Sequence, residues 1–258
     1  MAHIIAVANQ KGGVGKTTTT INLASYLARN HNQRVLVVDL DPQANTTSGL
    51  GLDKITVTPT IYDVIINQIP AASAIKPTAY PRLSVLPANP NLAAAELELG
   101  AANEREFRLK RAFEPLHSDF DLILIDCPPS LGLLTINGLV AADFVLIPVQ
   151  SEFYALEGLG LLLDTIKRIR QALNPTLRLL GVVITMHNPR TTLSAQVQAQ
   201  LEHHFPDTLL RVQIPRNIRL AEAPSHGQPI NHYDRLSRGA QAYKKLAKEI
   251  LNRVKKHQ

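Results

Sequence analysis

The chain contains one cysteine, Cys127, among 258 residues. That excludes a disulfide framework and a metal site built from the cysteines of one chain. There is no tryptophan, and no apolar run approaches the ~18 residues that a membrane-spanning helix needs. The opening stretch MAHIIAVANQ lacks the charged segment and long apolar run of a secretory leader. A glycine-rich loop arrives by Gly12, so the opening stretch is expected to be a strand, and the protein to be soluble and cytoplasmic. Hydrophobic residues make up 45% and charged residues 19%, a balance that argues against wholesale disorder. A chain of this length buries roughly three quarters of its unfolded surface around one core, and residues 1–258 are read as a single domain.

Charge is unevenly placed. Residues 211–258 hold eleven Lys/Arg and three acids, a net +8. The first 210 residues hold 16 Lys/Arg and 18 acids, a net −2. A basic C-terminal fifth suits a polyanion, either nucleic acid or anionic lipid.

Short β-branched runs alternate with helix-length segments. The expected strands are Ile4–Ala8, Arg34–Asp39, Leu83–Pro87, Leu122–Asp126, Phe144–Pro148, Leu180–Thr185 and Leu209–Ile214. The expected helices include Lys16–Arg29, Leu92–Leu116, Leu156–Leu173, Thr192–His204 and Arg235–Val254. Several strands are almost continuously apolar, as parallel strands covered on both faces are. The pattern predicts an α/β fold: a doubly wound, mostly parallel sheet with helices on both faces. Residues 51–90 carry prolines at 59, 70, 77, 81, 87 and 90 and are expected to form a surface excursion.

The first strand runs into Asn9-Gln10-Lys11-Gly12-Gly13-Val14-Gly15-Lys16-Thr17-Thr18. The end of this run fits the phosphate-binding pattern G-x-x-x-x-G-K-[ST], although Gln10 stands at the first glycine position. Glycines let backbone N–H groups turn inward around phosphate oxygens, and the following helix aims its positive end at the same point. Lys16 suits the β/γ-phosphates and the Thr17 hydroxyl suits Mg²⁺. Spacing alone leaves Lys11 either an exposed loop lysine or a group reaching a facing subunit.

The second strand ends in Asp39-Leu40-Asp41, at the edge where open α/β sheets place ligands. Two acids there suit a metal or a nucleophilic water, and equally a solvated turn or a helix cap. Asp121-Leu-Ile-Leu-Ile-Asp126 is a buried strand delivering one carboxylate, the partner that a phosphate loop requires for Mg²⁺. Cys127 beside it reads as a packed small hydrophobe. His187, His203, His204, His226 and His232 show no ligand spacing. The last helix carries one apolar stripe, Leu236, Ala240, Tyr243, Ala247, Ile250 and Val254, among lysines. It suits packing on the sheet, DNA, or a lipid surface, and its alanines favour packing.

KGGVGKTTT resembles the deviant Walker A motif of the ParA/MinD superfamily of P-loop ATPases, and DLDPQANTTSGLG resembles the second motif of ParA/Soj partition ATPases. The stretches VITMHNPRTTLS and IPRNIRLAEAPSHGQP extend the resemblance to nearly the whole chain. The resemblance implies that Lys11 contacts ATP across a sandwich homodimer. It implies that Gly12–Thr18 hold the phosphates and that Pro215 and Arg216 lie against the adenine. It places Asp41 in hydrolysis, with Thr17, Asp39 and Asp126 in the Mg²⁺ environment. Arg190 and Arg219 are implied to bind double-stranded DNA without reading sequence. A ParB-type centromere-binding protein is the implied partner that speeds a slow turnover, and a nucleoid-associated location follows. The lack of an N-terminal helix-turn-helix extension before the loop suits the small, Soj-like class. The alternative is a MinD-like membrane-associated ATPase for division-site placement, which the DLDPQ run argues against. An iron–sulfur ATPase needs at least two cysteines per chain.

Overall fold

The computed structural model describes residues 2–152 and 155–256. Seven segments form one sheet: β1 (His3–Val7), β2 (Val35–Asp39), β3 (Lys76–Pro77), β4 (Leu83–Leu86), β5 (Leu122–Asp126), β6 (Phe144–Gln150) and β7 (Arg178–Thr185). Their order across the sheet is β3-β4-β2-β5-β1-β6-β7. All neighbours are parallel except the β3–β4 edge pair. β1, β2 and β5 are runs such as VLVVD and LILID. β2 and β5 are buried at every position, because helices cover both faces.

The helices are α1 (Lys16–His31), α2 (Asn45–Gly49), α3 (Ile61–Ile65), α4 (Ala71–Ala74), α5 (Leu92–Leu99), α6 (Arg108–Phe113), α7 (Leu133–Ala141), α8 (Ala155–Ala172), α9 (Thr192–His204), α10 (Ile218–Glu222), α11 (Ile230–Tyr233) and α12 (Arg238–Lys255). Alternation along β1 divides the core in two. Ile4 and Ala6 face α3 and α5–α9, while Ile5 and Val7 face α1 and α10–α12.

The doubly wound expectation holds, with local corrections. The Leu92–Leu116 helix is broken: α5 ends at Leu99, and short 3₁₀ turns flank α6 at Arg105–Phe107 and Glu114–Ser118. Gly100 and Pro115 interrupt the helical ladder there. Leu209–Ile214 does not form a strand. It meets β7 through an isolated bridge between Leu209 and Val182, with Leu210 N–H to Val182 O at 2.8 Å and Ile214 N–H to Ile184 O at 2.8 Å, and Pro215 bridges His187 beyond the strand. Residues 51–90 are more than an excursion, since Ile61, Ile65, Ala71 and Ala74 are core residues and β3 and β4 extend the sheet. β3 went unread because it is two residues long and contains Pro77, a residue tolerated at a sheet edge. Asp126 therefore ends the fifth strand in chain order, not the fourth. The last helix begins at Arg238 behind an N-cap Ser237, whose side chain accepts from Ala240 N–H at 3.2 Å. Leu236, counted in the apolar stripe, lies before that cap and is 79% exposed.

Candidate active site

The glycine-rich loop joins the end of β1 to α1. Gly13 and Gly15 adopt φ of 76° and 86°, the left-handed region that side chains disfavour. A Cβ on Gly12 or Gly13 would meet nothing within 4 Å, so the loop's upper face is open. Gly15 caps α1 without any side-chain partner, which leaves the first-turn N–H groups free to meet an anion.

Three strands pin the loop from beneath. Asn9 Nδ2 donates to Pro148 O of β6 at 2.7 Å, and Asn9 Oδ1 accepts from Lys11 N–H at 2.9 Å. Thr185 Oγ1 of β7 donates to Val14 O at 2.8 Å. Thr17 Oγ1 donates to Asp126 Oδ2 of β5 at 2.7 Å. Asn9 and Thr185 were missed in the sequence, and no spacing signal marks them.

Lys16 is 6% exposed and its ammonium folds back to Lys11 O at 3.2 Å. Burial lowers its pKa, and the carboxylates of Asp126 and Asp41 oppose that shift.

Register pairs Asp39 of β2 with Asp126 of β5, so two carboxylates end adjacent strands. Both are buried, at 0% and 1% exposure. Burial is the leading cause that raises Asp39 to about 7, with Asp126 adding to it. Burial likewise raises Asp126 to about 6 against the hydroxyls of Thr46 and Thr17. Asp126 Oδ2 accepts from Thr46 Oγ1 at 2.7 Å as well as from Thr17. Asp39 Oδ2 takes both the N–H and the hydroxyl of Thr47 at 2.7 Å, and Oδ1 takes Asp41 N–H at 3.3 Å. Thr47 Oγ1 in turn accepts from Ala88 N–H at 2.9 Å. Asp39 thus ties α2 to the sheet. Asp41 lies beyond the strand in a turn, where Oδ1 accepts from Gln43 N–H at 2.9 Å and its carbonyl accepts from Ala44 N–H at 2.9 Å. The two acids therefore differ in setting, although a continuous strand would have placed them on one face. Thr46 and Thr47 were also missed in the sequence; they stand in the NTT run that α2 presents to both carboxylates.

Lys11 is bound within its own chain, with Nζ 2.7 Å from Glu152 Oε2. Beside the loop lies a cavity of about 380 Å³ bordered by Gly15 and Thr18. Its walls include Met186, Ile214, Pro215, Arg216 and Ile218, an apolar slot suited to a flat ring. Pro215 and Arg216 thus reach the phosphate loop across a cavity, with Arg216 N–H donating to His187 O at 3.2 Å. Tyr243 of α12 closes the slot, and its hydroxyl lies 3.1 Å from Thr19 Oγ1 of α1.

Arg190 and Arg219 are exposed. Arg219 Nη1 donates to Glu222 Oε2 at 2.9 Å, and Nε lies 3.6 Å from Asp234 Oδ2. Arg253, grouped by sequence with the basic face, is structural. Its guanidinium donates to the carbonyls of Leu180, Thr208 and Leu209 at 2.9–3.2 Å. The stripe of α12 is covered too, for Tyr243, Leu246, Ala247, Ile250 and Val254 pack in the core with α1. Among the described residues, no helix is long and apolar enough to cross a membrane.

A family model described as an AAA domain matches residues 2–179. The sporulation initiation inhibitor protein Soj of Bacillus subtilis is 52% identical over 250 residues, which is 97% of this chain and 98% of that protein. The chromosome partitioning protein ParA of Caulobacter vibrioides is 47% identical over 258 residues, 99% of this chain and 96% of that one. The chain belongs to the ParA/Soj family of partition ATPases. A solved structure described as cobyrinic acid a,c-diamide synthase from Mycobacterium smegmatis, with bound ATP analogue and magnesium, matches at TM-score 0.88 and 38% identity. That match covers 100% of this chain and 98% of the other. The seven-stranded, mostly parallel sheet is thus the P-loop ATPase fold that the deviant Walker A resemblance implied.

Proposed function

We propose that this protein is a Mg²⁺-dependent partition ATPase whose ATP-bound homodimer holds double-stranded DNA without reading its sequence. The observation that carries the reading is the convergence of an open glycine loop, a buried lysine and two buried carboxylates on adjacent strand ends. The oxygen-only set of Thr17 Oγ1 and Asp126 Oδ2, 2.7 Å apart beside Lys16, suits a hard divalent cation, with Asp39 next to it. Magnesium bound there supplies charge neutralisation at the phosphates.

The chain's own residues do the rest. Backbone N–H groups of residues 12–18 hold phosphate oxygens, and Lys16 turns from the Lys11 carbonyl onto the β/γ-phosphates. Pro215 and Arg216 flank the base. Asp41, in its turn outside the strand, orients the attacking water. Lys11 leaves Glu152 and reaches the nucleotide of the second subunit, joining the two chains. Dimer closure sets Arg190 and Arg219 of both chains on one face, and hydrolysis releases DNA. A ParB-type centromere-binding protein speeds turnover, and the cycle runs on the nucleoid in the cytoplasm. Residues 1–258 act as one domain.

The test is duplex-DNA binding with ATP, ADP or no nucleotide at two salt concentrations, with ATP turnover followed in parallel. Binding confined to ATP and weakened by salt is expected. Equal binding with ADP, or none in any state, would overturn the reading.

A further inference from the structure

Away from the nucleotide slot, a second recess of about 210 Å³ opens between α1, α11 and the start of α12. Tyr26 and Leu236 form part of its wall, and its polar lining holds no carboxylate but includes Arg29 from α1, Asn231 from α11, Arg235 from the turn that follows, and Lys244 from α12. The three cations are exposed at its mouth, whereas Asn231 is 4% exposed at its base. Asn231 Oδ1 accepts from Ser25 Oγ at 2.9 Å, and its backbone carbonyl accepts from Arg29 Nη1 at 3.4 Å. Its Nδ2 is buried with no partner. A buried amide donor left unpaired is costly, and three cations around it repel one another. One ligand chemistry answers both features: an oxyanion with several acceptor oxygens.

The recess has ample room for a phosphate group. It also borders the proposed DNA face. Arg219 Nε lies 3.6 Å from Asp234 Oδ2, and Asp234 immediately precedes Arg235. We propose that this recess seats one phosphate through Asn231 Nδ2, Arg29, Arg235 and Lys244, and that the phosphate belongs to a polynucleotide backbone. The choice of backbone rests on the DNA reading above; the oxyanion chemistry does not. The site is separate from the phosphate loop and adds a buried, directional donor to what would otherwise be diffuse surface charge.

Three variants test it: Arg235→Ala, Lys244→Ala and Asn231→Asp. The last keeps the acceptor for Ser25 and removes the donor. Lys245→Ala, an exposed neighbour on α12 outside the recess, is the control. Duplex DNA is titrated with ATP present, and inorganic phosphate is titrated separately by ³¹P NMR. Each recess variant is expected to weaken DNA binding roughly tenfold or more. Releasing the seated phosphate should lower the log–log salt slope by about 0.9 per subunit, so the slope changes of Arg235→Ala and Lys244→Ala should not add beyond that. Lys245→Ala should change affinity by less than about threefold, and ATP binding should be unchanged throughout.

If Asn231→Asp fails to fold by circular dichroism, the two exposed positions carry the test. Lys245→Ala falling as far as Lys244→Ala would reduce the recess to general surface charge and overturn it. So would unchanged binding of both DNA and phosphate in the recess variants. Phosphate binding lost with DNA binding intact would keep the oxyanion site and overturn the polynucleotide as its occupant. A wild-type protein that binds no DNA with ATP would sink the partition reading, and the phosphate titration alone would then decide the recess.

Discussion

Lys11 Nζ lies 2.7 Å from Glu152 Oε2, so the lysine that resembles a trans-acting signature residue is held by its own chain. The pair is partly solvent-exposed, at 34% and 50% of the two side chains. Exposed pairs of this kind contribute about 0.2–1 kcal/mol. Such a contact is weak enough to exchange for a phosphate, which offers a fuller charge in a drier setting.

Lys11→Ala is therefore expected to retain monomeric ATP binding and lose the dimer. Glu152→Gln is expected to favour the dimer, shifting its midpoint concentration by at most about thirtyfold, since one pair is released in each of two subunits. Analytical ultracentrifugation with ATP measures both. A Lys11→Ala protein that dimerises normally would remove the trans role.

Lys16→Ala takes away the buried ammonium at the loop. Loss of a charge-assisted phosphate contact costs about 1.5–3 kcal/mol, roughly a 10–150-fold drop in nucleotide affinity. Calorimetric titration of ATP analogue reads this directly, and near-normal affinity would mean that the phosphates sit elsewhere.

Asp41→Ala should bind ATP, dimerise and hold DNA, but fail to turn over. Asp41 lies outside the strand and its local bonds are to the backbone of residues 43 and 44, so its loss leaves the Asp39–Thr47 anchor intact. Single-turnover assays beside sizing chromatography separate the two effects. Normal hydrolysis in this variant would reassign the water-orienting group.

Arg219→Ala should weaken binding about equally for any DNA sequence and lower the salt slope by about 0.9 per contact. ATP-dependent dimerisation should survive. Alanine is preferred to glutamate here, because Glu222 and Asp234 already flank the guanidinium and a third acid would add repulsion of its own. Arg190→Ala, at an exposed position, should behave alike. Unchanged affinity and slope in both would move the DNA face.

Arg253→Ala should do the reverse: lower stability and leave DNA affinity per folded molecule unchanged. Its guanidinium serves carbonyls of residues 180, 208 and 209. Stranding them costs roughly 1–3 kcal/mol. Chemical denaturation measures the loss, and a DNA defect without a stability defect would contradict the structural assignment.

What was legible in the chain was local. Gly13 and Gly15 announce a turn with positive φ, Lys16 and Thr17 follow in phosphate-loop spacing, and LILID announces a buried strand ending in an acid. These features depend on neighbours a few residues apart, so periodicity and residue type suffice to read them. The placement of Pro215 and Arg216 beside the loop was implied by resemblance rather than by pattern. Irregular connections were read poorly: the Leu92–Leu116 segment looked continuous because its apolar spacing runs on through breaks made by Gly100 and Pro115.

Other relationships needed the fold. Strand order, not chain order, sets Asp39 beside Asp126. Asn9 meets Pro148 and Thr185 meets Val14, pairs separated by 139 and 171 residues. Tyr243 reaches Thr19 across 224 residues. The same folding takes Arg253 out of the basic face, gives Lys11 a partner in its own chain, and gathers Arg29, Asn231, Arg235 and Lys244 around one recess. A side chain's chemistry is written in its identity, but its partner is chosen by which distant segments share a face of the sheet. That choice is made by the packing of two separate cores against one seven-stranded sheet, which no local window of sequence contains.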